Sequence, residues 1–294
     1  MSRIAPSLRW TLRRIRRVDL SPGARVGVVM VALALGVALV GPFFAPYPPD
    51  AIFGAAFAKP SSQHLLGLDF VGRDVLSRFL WGGRTAIFIA LIGTVVGVVV
   101  GIVIGTASAY WRGWFDEIFG RLTDLALAFP ALIFALLLLA AFGSSGPVVV
   151  IALAITTVPG VTRIARAAAL EVVDLPYVEA ARARGERIHY VMGREILPNI
   201  RRPLLVDFGL RLTASILLVA ALSFLGLGLK PPAADWGLMI GENRIALTVQ
   251  PWPVIVPIIA IAFITIGINL LLDGYRRRLG AWRARETTET TSAV

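Results

Sequence analysis

The chain has 294 residues, 57% of them hydrophobic and only 16% charged, with a mean hydropathy of +0.77. A soluble domain carries about 25% charged residues, and the deficit here falls in five stretches without any charge, 26–49, 85–111, 125–162, 212–229 and 245–272. Each approaches or exceeds the roughly 20 apolar residues that cross a bilayer, which excludes a soluble globular protein. The net charge is +11, and the absence of cysteine excludes disulfides, thiolate metal sites and a cysteine nucleophile.

At the start of the chain, Ile4, Leu8, Leu12 and Ile15 fall at helical spacing with arginines between them. This pattern fits a basic amphipathic helix on an anionic membrane surface, and equally a disordered positive anchor. The first span is expected near 26–44. It is read as uncleaved, because it exceeds a signal-peptide core in length and Pro42 and Pro46 crowd any cleavage site. In the following outer segment, Asp74 and Arg78 are four apart, Val75, Leu76, Phe79 and Leu80 share an apolar side, and Gly82-Gly83 suggests a turn. A helix lying on the membrane surface is the expectation there.

The second span, near 86–109, carries Gly93, Gly97, Gly101 and Gly105 at a strict period of four. Such a stripe lets another helix approach closely. The 125–162 run would be about 57 Å as one helix, twice a hydrocarbon core. Gly143-Ser144-Ser145-Gly146-Pro147 breaks it into spans near 121–142 and 147–168, with kinks expected at Pro130 and Pro159-Gly160. Spans near 205–227 and 253–273 bring the total to six. Asp207 and Arg211 sit at the start of the fifth, at the spacing of a self-neutralising intrahelical pair.

Sorting the 29 basic residues among the connections puts 22 on the side of the two termini and six on the other, with Arg211 inside a span. The charge is therefore a topology signal that places both termini in the cytoplasm, and not a nucleic-acid footprint. The span centres hold no ionisable group, so no proton relay is evident. His64 and His189 are the only histidines and stand far apart in sequence, without a metal-binding cluster. Neither Lys59 nor Lys230 sits in a phosphate-binding loop. The energy for any transport is expected to come from another polypeptide, and enzyme chemistry lacks its parts.

The longest inner connection, about 169–204, has helix-start signals at Asp174 and Pro176, an acid at Glu179 in the first turn, a low-profile Ala180-Ala181 pair and a break at Gly185. A second helix is expected from about Glu186 to Leu197, stopped near Pro198. By physics alone this elbow is either a docking lever or a hairpin packed on the bundle.

The Glu179-Ala180-Ala181 triplet, Gly185 and Ile196-Leu197-Pro198 resemble the EAA loop of bacterial ABC importer permeases. The segments H-L-L-G-L-D-F-V-G-R-D-V-L-S-R at 64–78, L-S-F-L-G-L-G at 222–228 and P-P-A-A-D-W-G at 231–237 are similar to the dipeptide/oligopeptide branch, C-type subunit. The similarity runs from about residue 20 to 280. Where that branch commonly has Thr before Asp69, this chain has Leu68.

The resemblance implies an all-α polytopic bundle of six transmembrane helices, the type I importer permease fold, in the bacterial cytoplasmic membrane. It divides the chain into a basic N-terminal segment (1–25), a first transmembrane helix with an outer loop (26–84), the permease domain with its coupling loop at about 174–198 (85–280), and a tail (281–294). It implies a second similar permease subunit, two ATP-binding cassette domains that hold ATP and Mg, an extracellular solute-binding protein and a peptide cargo, with no cofactor on this chain. Glu179, Ala180, Ala181 and Gly185 would form the coupling elbow, framed by Pro176, Tyr177 and Pro198. Outer segments 64–84 and 229–252, the latter with Trp236 and Arg244, are candidates for docking the binding protein. Nickel chelates or glutathione are alternative cargoes for the same machine. A stand-alone secondary transporter or channel is the rival from another class.

Overall fold

The computed structural model describes residues 21–291, and side chains as far as Arg277. The amphipathic pattern at residues 4–15 lies outside the described residues. Ser21 caps the first helix, α1 (Pro22–Val40), by accepting from the Ala24 N–H, and Pro22 supplies the fixed φ that suits a first turn. After an irregular outer segment, α2 (Val75–Trp111) runs for 37 residues. After short breaks, α3 (Gly113–Ala128), α4 (Ala131–Phe142) and α5 (Gly146–Leu170) follow in turn. The elbow comprises α6 (Pro176–Ala183) and α7 (Ile188–Tyr190), and a π-helical segment, Val191–Ile196, leads directly into α8 (Leu197–Phe224). A short outer helix, α9 (Trp236–Asn243), precedes α10 (Trp252–Thr291).

Among the described residues, five helical segments are long and apolar enough to cross a membrane, and α3 with α4 makes a sixth span if that bent pair is counted as one. The two halves of the pair meet at 91° around Phe129-Pro130. Proline removes an N–H and clashes with the preceding turn, so the break expected at Pro130 is present and amounts to a right angle. Pro159, by contrast, sits inside an uninterrupted α5.

The period-four glycines of α2 face α5 along its length. A Cβ on Gly93 would lie 2.6 Å from Leu153 Cβ, on Gly97 2.7 Å from the Ala154 carbonyl, and on Gly101 2.7 Å from Val161 Cβ. Backbone-to-backbone packing of this kind replaces the hydrophobic drive that lipid removes. A second glycine seam joins α1 to α10, where a Cβ on Gly27 would meet the Gly267 carbonyl at 2.7 Å. Across α2 and α8, Thr94 Oγ1 and Ser215 Oγ lie 2.8 Å apart, so these buried hydroxyls satisfy each other.

Two expectations are corrected. The outer segment is not a surface helix that turns at Gly82-Gly83: α2 begins at Val75 and passes straight through both glycines. They are needed because the Trp236 ring lies against them, too close for any Cβ on Gly83. Pro198 does not stop a helix either. It falls in the first turn of α8, where its missing N–H is tolerated, and the π turn before it widens the backbone. The Asn199 side chain donates to the Glu195 carbonyl at 2.6 Å, taking up an acceptor beside that gap.

Candidate functional site: an elbow and an outer cap

The elbow is divided between a face that belongs to the bundle and a face that belongs to solvent. Val178 and Ala181 are fully buried, packed with Ala109 of α2, Ala165 and Ala169 of α5, and Val191 and Ile196 of the π-helical segment that leads into α8. Glu179, Ala180, Pro176 and Tyr177 are exposed on the same short helix. Eight residues cannot hold a helix alone; tertiary packing of Val178 and Ala181 holds this one. Glu179 sits in the first turn, where a carboxylate complements the helix dipole.

Gly185 ends α6 with φ of +74°, the left-handed region. The Glu186 N–H bonds the Ala181 carbonyl at 3.2 Å and the Gly185 N–H bonds that of Arg182 at 2.9 Å, the paired bonds of a Schellman stop. The chain therefore reverses at a fixed angle. Arg182 lies over the Tyr110 ring, 4.2 Å from its centre, and ties the elbow to the last turn of α2. Although Tyr177 is exposed, partial desolvation of its ring raises the phenol above its ordinary value, with the Glu195 charge adding to the shift. Pro198 stands apart from this surface, at the start of α8, and frames the elbow only through the helix it opens.

Asp207 and Arg211 form the expected intrahelical pair, at 3.3 Å. The Arg211 guanidinium occupies the space left by the missing side chain of Gly160, which accounts for that glycine in the middle of α5.

At the opposite end, sequence reasoning missed a buried ion cluster. Arg73 reaches Asp69 at 2.8 Å and Glu242 at 3.0 Å, and Arg78 reaches Glu242 at 3.1 Å and Asp69 at 3.4 Å. Asp74 does not pair with Arg78; it caps α2 through Ser77 and meets His64 Nδ1 at 2.9 Å. Asn243 accepts from the Phe70 N–H, and Gln250 donates to the Leu66 carbonyl at 2.8 Å. The 64–78 segment and the α9 region thus close into one cap. Burial raises the carboxyls of Glu242 and Asp235, the latter capping α9 at Leu238. Trp236, expected on a docking surface, is 1% exposed; it stacks on Phe79 and donates to the Phe79 carbonyl. Arg244 is exposed. The repeated acid–base spacing in 69–78 was the available signal, yet spacing does not reveal that Glu242 is the shared partner from the far end of the chain.

A bundle of apolar helices, with a rigid two-faced elbow at one end and a locked cap at the other, defines a membrane transport subunit. Residues 97–284 match the family described as binding-protein-dependent transport system inner membrane component. The chain belongs to this family, the membrane permeases of bacterial ABC importers, and is an inner-membrane protein. It is 36% identical over 253 residues to a glutathione transport system permease protein of Pectobacterium atrosepticum, covering 85% of this chain and 84% of that one. It is 34% identical over 269 residues to the protein of the same name from Shigella dysenteriae serotype 1, covering 91% and 88%. Among solved structures, an amino acid ABC transporter aligns with a TM-score of 0.51 at 23% identity, over 68% of this chain and 94% of that one, a likeness of fold. As a permease of this family the chain is the non-catalytic membrane subunit.

Proposed function

We propose that the chain is one of two membrane subunits of an ATP-driven importer of short peptides, and that Glu179, Ala180, Ala181 and Gly185, with Pro176, Tyr177 and Pro198 around them, couple it to the ATPase subunits. The two-faced elbow carries this reading. Its outer face, Glu179 and Ala180 flanked by Pro176 and Tyr177, is free for a partner groove, while Val178 and Ala181 lock its inner face to α2, α5 and α8. A push on α6 therefore moves packed helices as a body, which is the form alternating access takes. The ATPases, which carry ATP and Mg, shift the equilibrium only through contacts that differ between the inward- and outward-open states. A second similar permease completes the path, and an extracellular solute-binding protein delivers the cargo. The elbow side, rich in arginine, faces the cytoplasm together with both termini.

The relatives named as glutathione permeases support a peptide-sized cargo with glutathione among its members. Apart from Asp207 and Arg211, which pair with each other midway along α8, the span centres are neutral, which suits a path lined by neutral and small polar groups.

Replacing Gly185 with proline tests the coupling. Proline cannot adopt φ of +74° and has no N–H for the Arg182 carbonyl. The variant should insert and assemble, hydrolyse ATP in the reconstituted complex, and transport at least about tenfold less peptide per ATP, equivalent to about 1.4 kcal/mol of lost coupling. Wild-type transport per ATP would remove the elbow from the mechanism. Uptake of glutathione, alanylalanine and a nickel chelate by the same proteoliposomes decides the cargo.

A further inference from the structure

Between the last turn of α2, the length of α3 and the second half of α5, a polar groove of about 480 Å³ opens on the elbow-bearing face. That volume is within the range of small-ligand sites. Two ion pairs cross the groove: Arg166 forks onto both carboxylate oxygens of Asp116, and Arg163 Nη2 meets Asp124 Oδ1 at 2.6 Å, while Glu117 and Arg121 pair along α3 itself. Ser108 and Thr162 also line it, 1% and 3% exposed, and neither hydroxyl has a hydrogen-bond partner. Buried hydroxyls without partners forfeit hydration for no return, and the coupling elbow uses neither of them.

The chemistry of the groove selects its occupant. Exposed ion pairs are weak and exchangeable, and side chains of the Arg163–Asp124 pair are 60% and 70% exposed. A purely anionic ligand would strand Asp116 and Asp124, and a cationic one would strand the arginines. A ligand with a carboxylate, an ammonium and an amide between them satisfies both halves of each pair, with its amide groups turned to the two unpartnered hydroxyls. Arg112, immediately before α3, also pairs with Asp174, just before α6, so the groove lies next to the elbow, although that pair is itself exposed and exchangeable.

We infer that this groove binds a short peptide with free termini on the side to which it is delivered, and that the occupied groove clamps α3 to α5 and slows further transport. The identity of the peptide as imported product rests on the cargo reading above; the zwitterion site does not.

The complete transporter complex, in nanodiscs of phosphatidylglycerol, is titrated calorimetrically with alanylalanine and with its N-acetylated, C-amidated form. Wild type should bind alanylalanine saturably, and binding should weaken at least tenfold in D116N/R166Q and in S108A/T162V. The blocked dipeptide should bind at least tenfold more weakly than the free one. The second variant keeps every charge and nearly every atom, so it answers if the first fails to assemble. Alanylalanine added to the elbow side should also inhibit ATP-driven uptake in wild type and not in S108A/T162V. Equal affinity in wild type and S108A/T162V, or for free and blocked dipeptide, overturns the site. Competition by phosphatidylethanolamine added to the discs would assign the groove to a lipid headgroup and overturns it as well. Import of alanylalanine without groove-dependent binding overturns the site and leaves the cargo reading standing; groove-dependent binding without import of any peptide does the reverse.

Discussion

Arg78 has no exposed surface, and its guanidinium meets Asp69 and Glu242 at the outer end of α2. Removing one member of a buried ion cluster leaves the others charged and unpaired, at a cost of about 3–5 kcal/mol, whereas replacing a whole pair by apolar groups is often neutral. Arg73 remains beside both acids, so R78M should cost about 3 kcal/mol, the lower end of that range. R78M/E242L should recover part of the loss. Thermal unfolding of the purified complex checks both, and a double variant no better than the single would deny the coupling. Asp235 carries a different prediction. Burial raises its carboxyl, so its contribution to stability is full below the ordinary aspartate pKa of about 4 and is lost as pH rises through the raised value. D235N keeps the cap acceptor for Leu238 and does not titrate. The melting temperature of wild type relative to D235N should therefore fall as pH is raised from about 4 towards neutrality; a flat difference would place the aspartate in a solvated setting.

Helices in this bundle meet where side chains are missing, and the two glycine seams differ in how visible they are in the sequence. The α2 stripe is legible because all four glycines lie on one helix at one period. The α1–α10 seam is not, because Gly27 and Gly267 belong to helices at opposite ends of the chain and neither has a local repeat. Pro130 announces a break but not its 91° angle, since the direction α4 takes depends on what it packs against. The π turn ahead of Pro198 has no composition signature at all. The seam itself is testable: G97L pushes a side chain into the Ala154 carbonyl, which cannot yield, and should cost about 3 kcal/mol in thermal unfolding, the upper end of the overpacking range. Gly36 is the control, because a Cβ added there would have nothing within 4 Å on the same class of apolar helix, and G36L should be tolerated. Equal losses at the two positions would remove the close-packing argument.

Over the whole molecule, hydropathy makes the spans legible, because apolar length is a property that the bilayer imposes on any chain. Charge adds a sidedness, which is a separate claim and open to direct measurement. The outer cap escapes such a reading because its arginines and carboxylates count as loop charge, and only the fold reveals that they neutralise one another beneath the surface. That neutralisation strengthens the charge asymmetry instead of weakening it: Arg73 and Arg78 are internally paired, while Arg182, Arg184 and Arg187 of the elbow lie at its surface. The absence of cysteine makes the orientation accessible to labelling. Lys59, exposed in the outer segment, and Arg184, exposed on the elbow, are each replaced singly by cysteine and probed with a membrane-impermeant maleimide. K59C should label in spheroplasts with intact membranes, and R184C only after the membrane is opened. Labelling in the reverse pattern would invert the topology, place the elbow beyond the reach of any cytoplasmic ATPase, and overturn the coupling role proposed for Glu179, Ala180 and Ala181.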